Sequence, residues 1–372
     1  MKILLVTTKA NPGGVQTFLG SLARFLVDNG HEVMVAAGRG AYLPDQLADS
    51  SVIFRRLTSL SGRLSVWSVI SYIKELRVIL RSWPADVVHF NSSYALFGVL
   101  GQRKADNFKT VFTVHGLSVL DKGYKTSWRR FPYRFMYRFL FSFVDSLVFV
   151  SKSNLEEAKA QNLVARGEVI YNGLDKINFP TRDEARVALS RLVGQDLSGF
   201  KIVGSVGRLC YQKNYSFLIS QWPQVISLKP DAKLVIIGQG EDKARLHQMI
   251  NELSLSDSVF IVEAAPATPY LTAFDLFVLT SRYEGLPISL IEALSANLAV
   301  LASRVGGNEE ILRHLAELYE EDNQEAFLSS LIKLIDNEVL RQEVLAINNE
   351  SLSDFGILKM GRNYLELYYK KL

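Results

Sequence analysis

The chain has a single cysteine, Cys210, among 372 residues, so it forms no disulfide within itself and carries no cysteine-rich zinc site. A reducing compartment is the simple expectation. No apolar run approaches the ~20 residues that span a bilayer. The opening Met1-Lys2-Ile3-Leu4-Leu5-Val6 is too short for a signal-peptide core and reads as a strand leading into a glycine turn. There is no Asp-x-Asp pair to hold a divalent ion, no G-x-G-x-x-G after the first strand, and no Lys-Ser/Thr to complete a Walker loop. Readings as a dinucleotide-binding or ATP-binding protein are correspondingly weak. Charge excess is also lacking: a net +4 is too small to argue for nucleic acid. The expectation is a cytoplasmic protein, at most peripheral to a membrane.

What is present is an ordinary globular composition, 48% hydrophobic and 22% charged, in a length that favours two domains. Short β-branched runs alternate with amphipathic helical stretches, the pattern of parallel α/β architecture. In the first half, strands are expected at 3–6, 32–36, 52–54, 86–89, 110–114 and 146–150. Helical stretches near 15–28, 65–82, 93–101, 127–143 and 152–161 separate them. Residues 172–199, with Asn172-Gly173, Pro180, Gly194 and Gly199 around a charged helical piece, read as a connector. The pattern restarts with strands at 201–206, 233–237, 259–262, 276–279 and 299–302. Helices at 323–336, 338–349 and 356–370 close the chain.

Several loop sequences can carry chemistry. In Tyr283-Glu284-Gly285-Leu286-Pro287-Ile288-Ser289-Leu290-Ile291-Glu292, two carboxylates flank the start of an expected helix, with Pro287 at its first position. Glu292 would lie about one and a half turns inside that helix, roughly 7–8 Å along its axis. The free amides of the first turn make an anion site between the two carboxylates. Gly204-Ser205-Val206-Gly207-Arg208 with Lys213 offers a planar fork of donors and a point charge, a pair suited to a diphosphate. Asn11-Pro12-Gly13-Gly14 stands at a strand-to-helix turn, where a backbone can approach a ligand. His115, in Thr113-Val114-His115-Gly116, follows a strand, and His89 is a weaker rival at another strand end. Gly238-Gln239-Gly240-Glu241 and Ser303-Arg304-Val305-Gly306-Gly307 are further turns. Taken singly, each also fits a bland part: a glycine turn, a solvated cation, a structural histidine.

Together these elements resemble the retaining glycosyltransferases of family 4. The resemblance runs from Gly13-Gly14 through Val150-Ser151-Lys152-Ser153, Tyr171-Asn172-Gly173-Leu174-Asp175, Val206-Gly207-Arg208-Leu209 and Ile237-Gly238-Gln239-Gly240 to the Glu284/Glu292 pair. It implies the α/β GT-B fold: two Rossmann-like domains facing each other across a cleft, with a C-terminal helix crossing back to the N-terminal domain. Residues 1–175 would bind the acceptor, residues 176–355 the nucleotide sugar, and residues 356–372 would form the returning helix. His115, Arg208, Lys213 and Glu284 would be the catalytic set. Gly13, Gly14, Gly207, Gly238, Gly240, Val262, Gly285, Leu286, Pro287, Ile288 and Glu292 would bind the donor. Within that set Glu292 would hold the ribose, Arg208 and Lys213 the diphosphate, and Glu284 the transferred sugar. Two positions depart from the family pattern: Asn297 and Ala299 stand where glycine and proline are usual, and Val262-Glu263-Ala264-Ala265 lacks the usual glycine.

The implied reaction moves a hexose or N-acetylhexosamine from a nucleotide sugar, with UDP favoured, to a glycan or lipid-linked acceptor in polysaccharide or glycolipid synthesis. It needs no metal or other cofactor and proceeds by front-face substitution, with Glu284 positioning the sugar and forming no covalent bond to it. Residues 122–139 pack six basic residues among seven aromatics. A helix of that kind suits an anionic membrane interface on the inner face of the cytoplasmic membrane, aided by Lys74, Arg77 and Arg81. The alternative is a core helix with solvated arginines; nucleic acid is not expected as a partner. Competing readings of the whole chain are an inverting GT-B transferase or sugar-nucleotide epimerase, and a non-catalytic sugar-nucleotide-binding subunit.

Overall fold

The structure, a computed structural model, describes residues 1–61, 65–102, 106–116, 127–314 and 317–370. Met1–Asp175 with Asp354–Leu372 make one compact unit, and Lys176–Ser353 make a second.

The first unit is built on seven parallel strands: β1 (Lys2–Thr7), β2 (Glu32–Ala37), β3 (Ile53–Arg56), β4 (Val87–Phe90), β5 (Lys109–Val114), β6 (Ser146–Phe149) and β7 (Glu168–Val169). Their order in the sheet is β3-β2-β1-β4-β5-β6-β7. The central strands are buried along almost their whole length, as β-branched runs covered by helices on both faces must be, whereas edge strand β3 is largely exposed. Connecting helices are α1 (Gly14–Asp28), α2 (Tyr42–Leu47), α3 (Val66–Ser82), α4 (Ser127–Phe141) and α5 (Lys152–Ala160). Ala95–Gly101 is a 3-10 helix, where an α-helical stretch was expected. Tyr72, Leu76 and Ile79 of α3 share one core layer with Tyr137, Leu140 and Phe141 of α4.

The second unit has a six-stranded parallel sheet: β8 (Lys201–Val206), β9 (Ala232–Ile237), β10 (Val259–Val262), β11 (Leu276–Leu279), β12 (Val300–Ser303) and β13 (Leu318–Tyr319), ordered β10-β9-β8-β11-β12-β13. Its helices are α6 (Arg182–Val193), α7 (Tyr215–Leu228), α8 (Lys243–Glu252), α9 (Thr268–Leu271), α10 (Ile288–Ser295), α11 (Asn308–Ile311), α12 (Gln324–Asp336) and α13 (Glu338–Leu352). Helix α14 (Ile357–Tyr369) belongs to the first unit and packs on α1. Gly361 permits the approach, because a Cβ there would lie 2.2 Å from the Phe25 ring. Asn297, standing where the family pattern has glycine, adopts φ +58 just after α10. Asparagine is the side chain that best tolerates that left-handed conformation, so the turn survives the replacement.

Both sheets reverse direction once, between β1 and β4 in the first unit and between β8 and β11 in the second. Ligands of open α/β sheets bind beyond the carboxyl ends of the strands at such reversals. The Gly13-Gly14 turn follows β1, and Arg208 and Lys213 follow β8. Glu284 follows β11, and His115 follows β5, the neighbour of β4.

Candidate active site

In the second unit the loops after β8 and β11 are stitched together. Arg282 donates its backbone N–H to the Gln212 carbonyl at 2.8 Å, and the Thr280 hydroxyl donates to the Lys213 carbonyl at 3.0 Å. Lys213 ends a short 3-10 turn, and Asn214 follows it at φ +53 to open α7. Lys213 Nζ thereby reaches Glu284 Oε1 at 2.6 Å. Ser281 Oγ donates to the same oxygen at 2.5 Å, and Gln212 Nε2 donates to Oε2 at 3.2 Å. Glu284 is only 7% exposed, so these donors replace its lost hydration.

Glycines hold this loop at close quarters. Gly306 has φ +50, and a Cβ there would lie 2.0 Å from the Glu284 carbonyl oxygen. A Cβ on Gly307 would lie 2.2 Å from the carbonyl oxygen of Gly285. Gly238 and Gly240 press likewise on the carbonyls of Gly207 and Leu209, and Gly207 on the Tyr215 hydroxyl and the Lys213 side chain. Of the expected donor glycines, Gly207, Gly238 and Gly240 therefore meet a packing demand between neighbouring loops. Val262 ends β10 with its carbonyl accepting from the Gly238 amide at 2.9 Å.

The helix start differs from expectation by one residue. Pro287, with ψ 117, is the cap residue and α10 begins at Ile288, because the proline is still extended. Glu284 stands in the loop just before the helix, flanking its start as expected. No described side chain caps α10, and no described residue bonds the amides of Ile288 and Ser289. Leu286 and Ile288 bury their side chains, which leaves only backbone for any ligand contact. Glu292 is half-buried within α10, and no described residue bonds its carboxyl group. Burial raises its pKa to about 7. Arg208 stays exposed beside Cys210.

In the first unit Gly13 caps α1 at φ 165, an extended conformation open to any residue, and Gly14 is the first helical residue. Gly38 and Gly40 after β2 meet close packing, where a Cβ would strike the carbonyl oxygen of Thr8 and the backbone of Ala10. His115 Nε2 lies 3.3 Å from Asn91 Oδ1, with the Phe18 ring edge-on at 4.8 Å between centroids. Burial lowers the His115 pKa to about 3, so the ring is neutral. His89, the rival candidate, lies in the core, fully buried and bonded to Tyr368 and Thr113 at 2.7 Å each. It does not face a ligand.

Part of the basic segment, residues 122–126, lies outside the described residues, as do the side chains of residues 127–131. Farther along α4, Phe135 is 71% exposed and Phe139 is also exposed, whereas Tyr137 is core. Arg134 is committed to the Gln161 carbonyl at 2.6 Å. Arg77, expected at a membrane face, instead bonds the Gly101 carbonyl and pairs with Asp106. On α3, Trp67 is 79% exposed, with Ile70, Lys74 and Arg81 exposed on the same helix. Among the described residues, no helix is long and apolar enough to cross a membrane.

Sequence reasoning assigned no role to Ser281, Gln212, Gly306 or Asn91. Ser281 lies just before the Glu284 segment, three residues from Glu284, but only the bend after β11 turns it back to the carboxylate.

Residues 195–350 match the model of glycosyl transferases group 1, and residues 12–176 match that of glycosyltransferase family 4. An Escherichia coli UDP-Gal:α-D-GlcNAc-diphosphoundecaprenol α-1,3-galactosyltransferase is 26% identical over 335 residues, 88% of this chain and 86% of that protein. A Campylobacter jejuni diphospho-undecaprenol 4-α-N-acetylgalactosaminyltransferase is 28% identical over 58% of each chain. Anabaena HepE, solved with UDP and glucose, superposes with a TM-score of 0.82 at 18% identity over all of both chains, which establishes the shared fold. With one family model on the residues that follow β1 and another on those that carry Arg208, Lys213 and the two glutamates, the chain belongs to glycosyltransferase family 4 and is a GT-B glycosyltransferase.

Proposed function

We propose that this transferase moves a hexose or N-acetylhexosamine from UDP to a lipid-linked or glycan acceptor, with retention at the anomeric carbon and without a metal ion. The observation that carries the reading is the contrast across the start of α10. Glu284 accepts from Lys213, Ser281 and Gln212 and keeps acceptor capacity on Oε2, while no described residue bonds Glu292. Such a pair would act as a ruler for the donor, with ribose hydroxyls at Glu292 and sugar hydroxyls at Glu284. The diphosphate would lie between them on the amides of Ile288 and Ser289, facing Arg208 and Lys213. These groups would stabilise the departing phosphate electrostatically. The anomeric carbon–phosphate oxygen bond breaks as the acceptor oxygen bonds to the same face, and the acceptor proton passes to the departing phosphate oxygen.

UDP and lipid-linked acceptors are supported by the neighbour solved with UDP and by relatives named for diphosphoundecaprenol substrates, one of them named for UDP-Gal and an α-1,3 product. An anionic membrane surface would suit the exposed Trp67, Ile70, Lys74 and Arg81 of α3 and Phe135, Arg138 and Phe139 of α4. Thermal shift with UDP, GDP and ADP tests the donor: UDP is expected to stabilise most, and preference for another nucleotide overturns the assignment. Co-sedimentation with vesicles is expected to require anionic lipid and to weaken in Lys74→Glu/Arg138→Glu. Binding indifferent to both would remove the membrane from the proposal.

A further inference from the structure

The candidate sugar-side histidine is held by a buried polar network that none of the site residues named above explains. Asn91 is the residue after β4, and His115 is the residue after the adjacent β5. Asn91 is 1% exposed, and its backbone N–H donates to the Val6 carbonyl at 2.8 Å, which fixes it at the end of β1 as well. Its Nδ2 donates to the His89 carbonyl at 3.0 Å. A carbonyl only accepts, so this bond sets the orientation of the amide and leaves Oδ1 as the atom facing His115 Nε2. An amide oxygen also only accepts, so Nε2 must carry the proton. In a neutral ring the other nitrogen is then bare.

We propose that Asn91 is a positioning residue that fixes His115 as its Nε2–H tautomer, presenting a bare Nδ1 as the acceptor for a hydroxyl of the transferred sugar. This rests on the reading of His115 as a sugar-side residue. No described residue bonds Nδ1. The surroundings keep the ring neutral as well as oriented. Phe18 of α1 packs edge-to-face with it, and the ionisable neighbour His89 of β4, with Tyr364 and Tyr368 of α14 behind it, is buried and uncharged at neutral pH. His89 is itself locked by Tyr368, and Thr113 bridges it to Tyr364 at 2.9 Å. The returning helix therefore braces the His89 backbone that orients Asn91. A charged imidazole would have two donors and no acceptor, so the same ring could not receive a sugar hydroxyl.

The test is 15N NMR of the histidine-labelled full chain without substrate, followed by donor kinetics. Wild-type His115 is expected as the neutral Nε2–H form from about pH 5.5 to 8.5. Asn91→Asp would set a carboxylate against Nε2–H and raise the His115 pKa by at least ~1 unit. In kcat/KM for the donor, that variant should gain a second acid limb, below the one that protonation of Glu292 gives wild type. Asn91→Ala is expected to lose the tautomer preference and raise donor KM roughly 3–10-fold, with a smaller change in kcat. A wild-type ring protonated at Nδ1, or an unmoved His115 pKa in Asn91→Asp, overturns the proposal. The wild-type spectrum needs no variant to fold and no donor to bind, so it decides the tautomer even where the donor reading fails. Wild-type donor KM in both His115→Ala and Asn91→Ala would overturn the sugar contact alone.

Discussion

Glu284 and Glu292 belong to one short segment, yet their surroundings differ in kind. Glu284, in the bend after β11, has its charge answered inside the protein by Lys213, Ser281 and Gln212. Glu292, within α10, is half-buried with no bonded partner among the described residues, and burial alone pushes its pKa to about 7. A carboxylate with three donors is held in place before any ligand arrives. One without donors raises the energy of the unliganded protein and recovers it only when a ligand supplies hydroxyls. The comparison separates a preorganised group from a receptive one, and it predicts opposite responses to mutation.

The largest effect is expected at the preorganised end. Glu284→Ala, Lys213→Ala and Arg208→Ala should each cut turnover at least ~100-fold, the order lost with one fixed electrostatic contact. Glu284→Ala should also destabilise by roughly 3 kcal/mol, because it strands a buried ammonium. Near-wild-type kinetics in all three variants would dissolve the comparison.

At the receptive end the stability effect reverses. Glu292→Gln should raise donor KM about 10-fold at pH 8, leave kcat little changed, and raise the melting temperature of the unliganded protein. A drop in melting temperature as large as that of Glu284→Ala would show Glu292 to be structural. The pH dependence has a definite sign. The folded pKa lies above the unfolded value, so the native state holds the extra proton. The stability contribution is then fully present below about pH 4.5 and is lost as pH rises through about 7. Donor affinity should move the other way, falling as pH drops below 7 and the carboxylate is protonated. Thermal melts with and without nucleotide from pH 5 to 9 read both trends. Glu317, fully buried and accepting from Asn348 at 2.7 Å, has its pKa raised to about 8 and adds to the first trend alone, so Glu292→Gln should reduce that trend without abolishing it.

A smaller effect tests how the bend is held. Gly306→Ala should cost about 1–3 kcal/mol, from the left-handed backbone and the overlap with the Glu284 carbonyl, and should lower turnover through displacement of Glu284. Unchanged melting and turnover would mean that the loop yields without moving its carboxylate.

Much of this was legible in the chain. Strands β8, β10 and β11 fall at their expected residues, because buried parallel strands are unbroken apolar runs with sharp ends. The two-residue strands β7 and β13 and the short helix α2 were missed, since so few residues show no periodicity. The position of Pro287 was off by one, because a proline fixes φ alone and its ψ was set by the preceding bend. The two histidines were the least legible. Both stand at or just past the end of a parallel strand, and only packing against α14 puts His89 in the core while leaving His115 with a bare nitrogen.

By itself the sequence determined the alternation of strands and helices, the family to which the chain belongs, and which residues stand at the carboxyl ends of strands. Those are properties of local pattern and spacing. The tertiary structure alone decided strand order, and with it which loops become neighbours. Side-chain chemistry at a site depends on who donates to whom across such neighbours. That is why two glutamates of one segment, and two histidines at similar strand ends, came to have opposite environments.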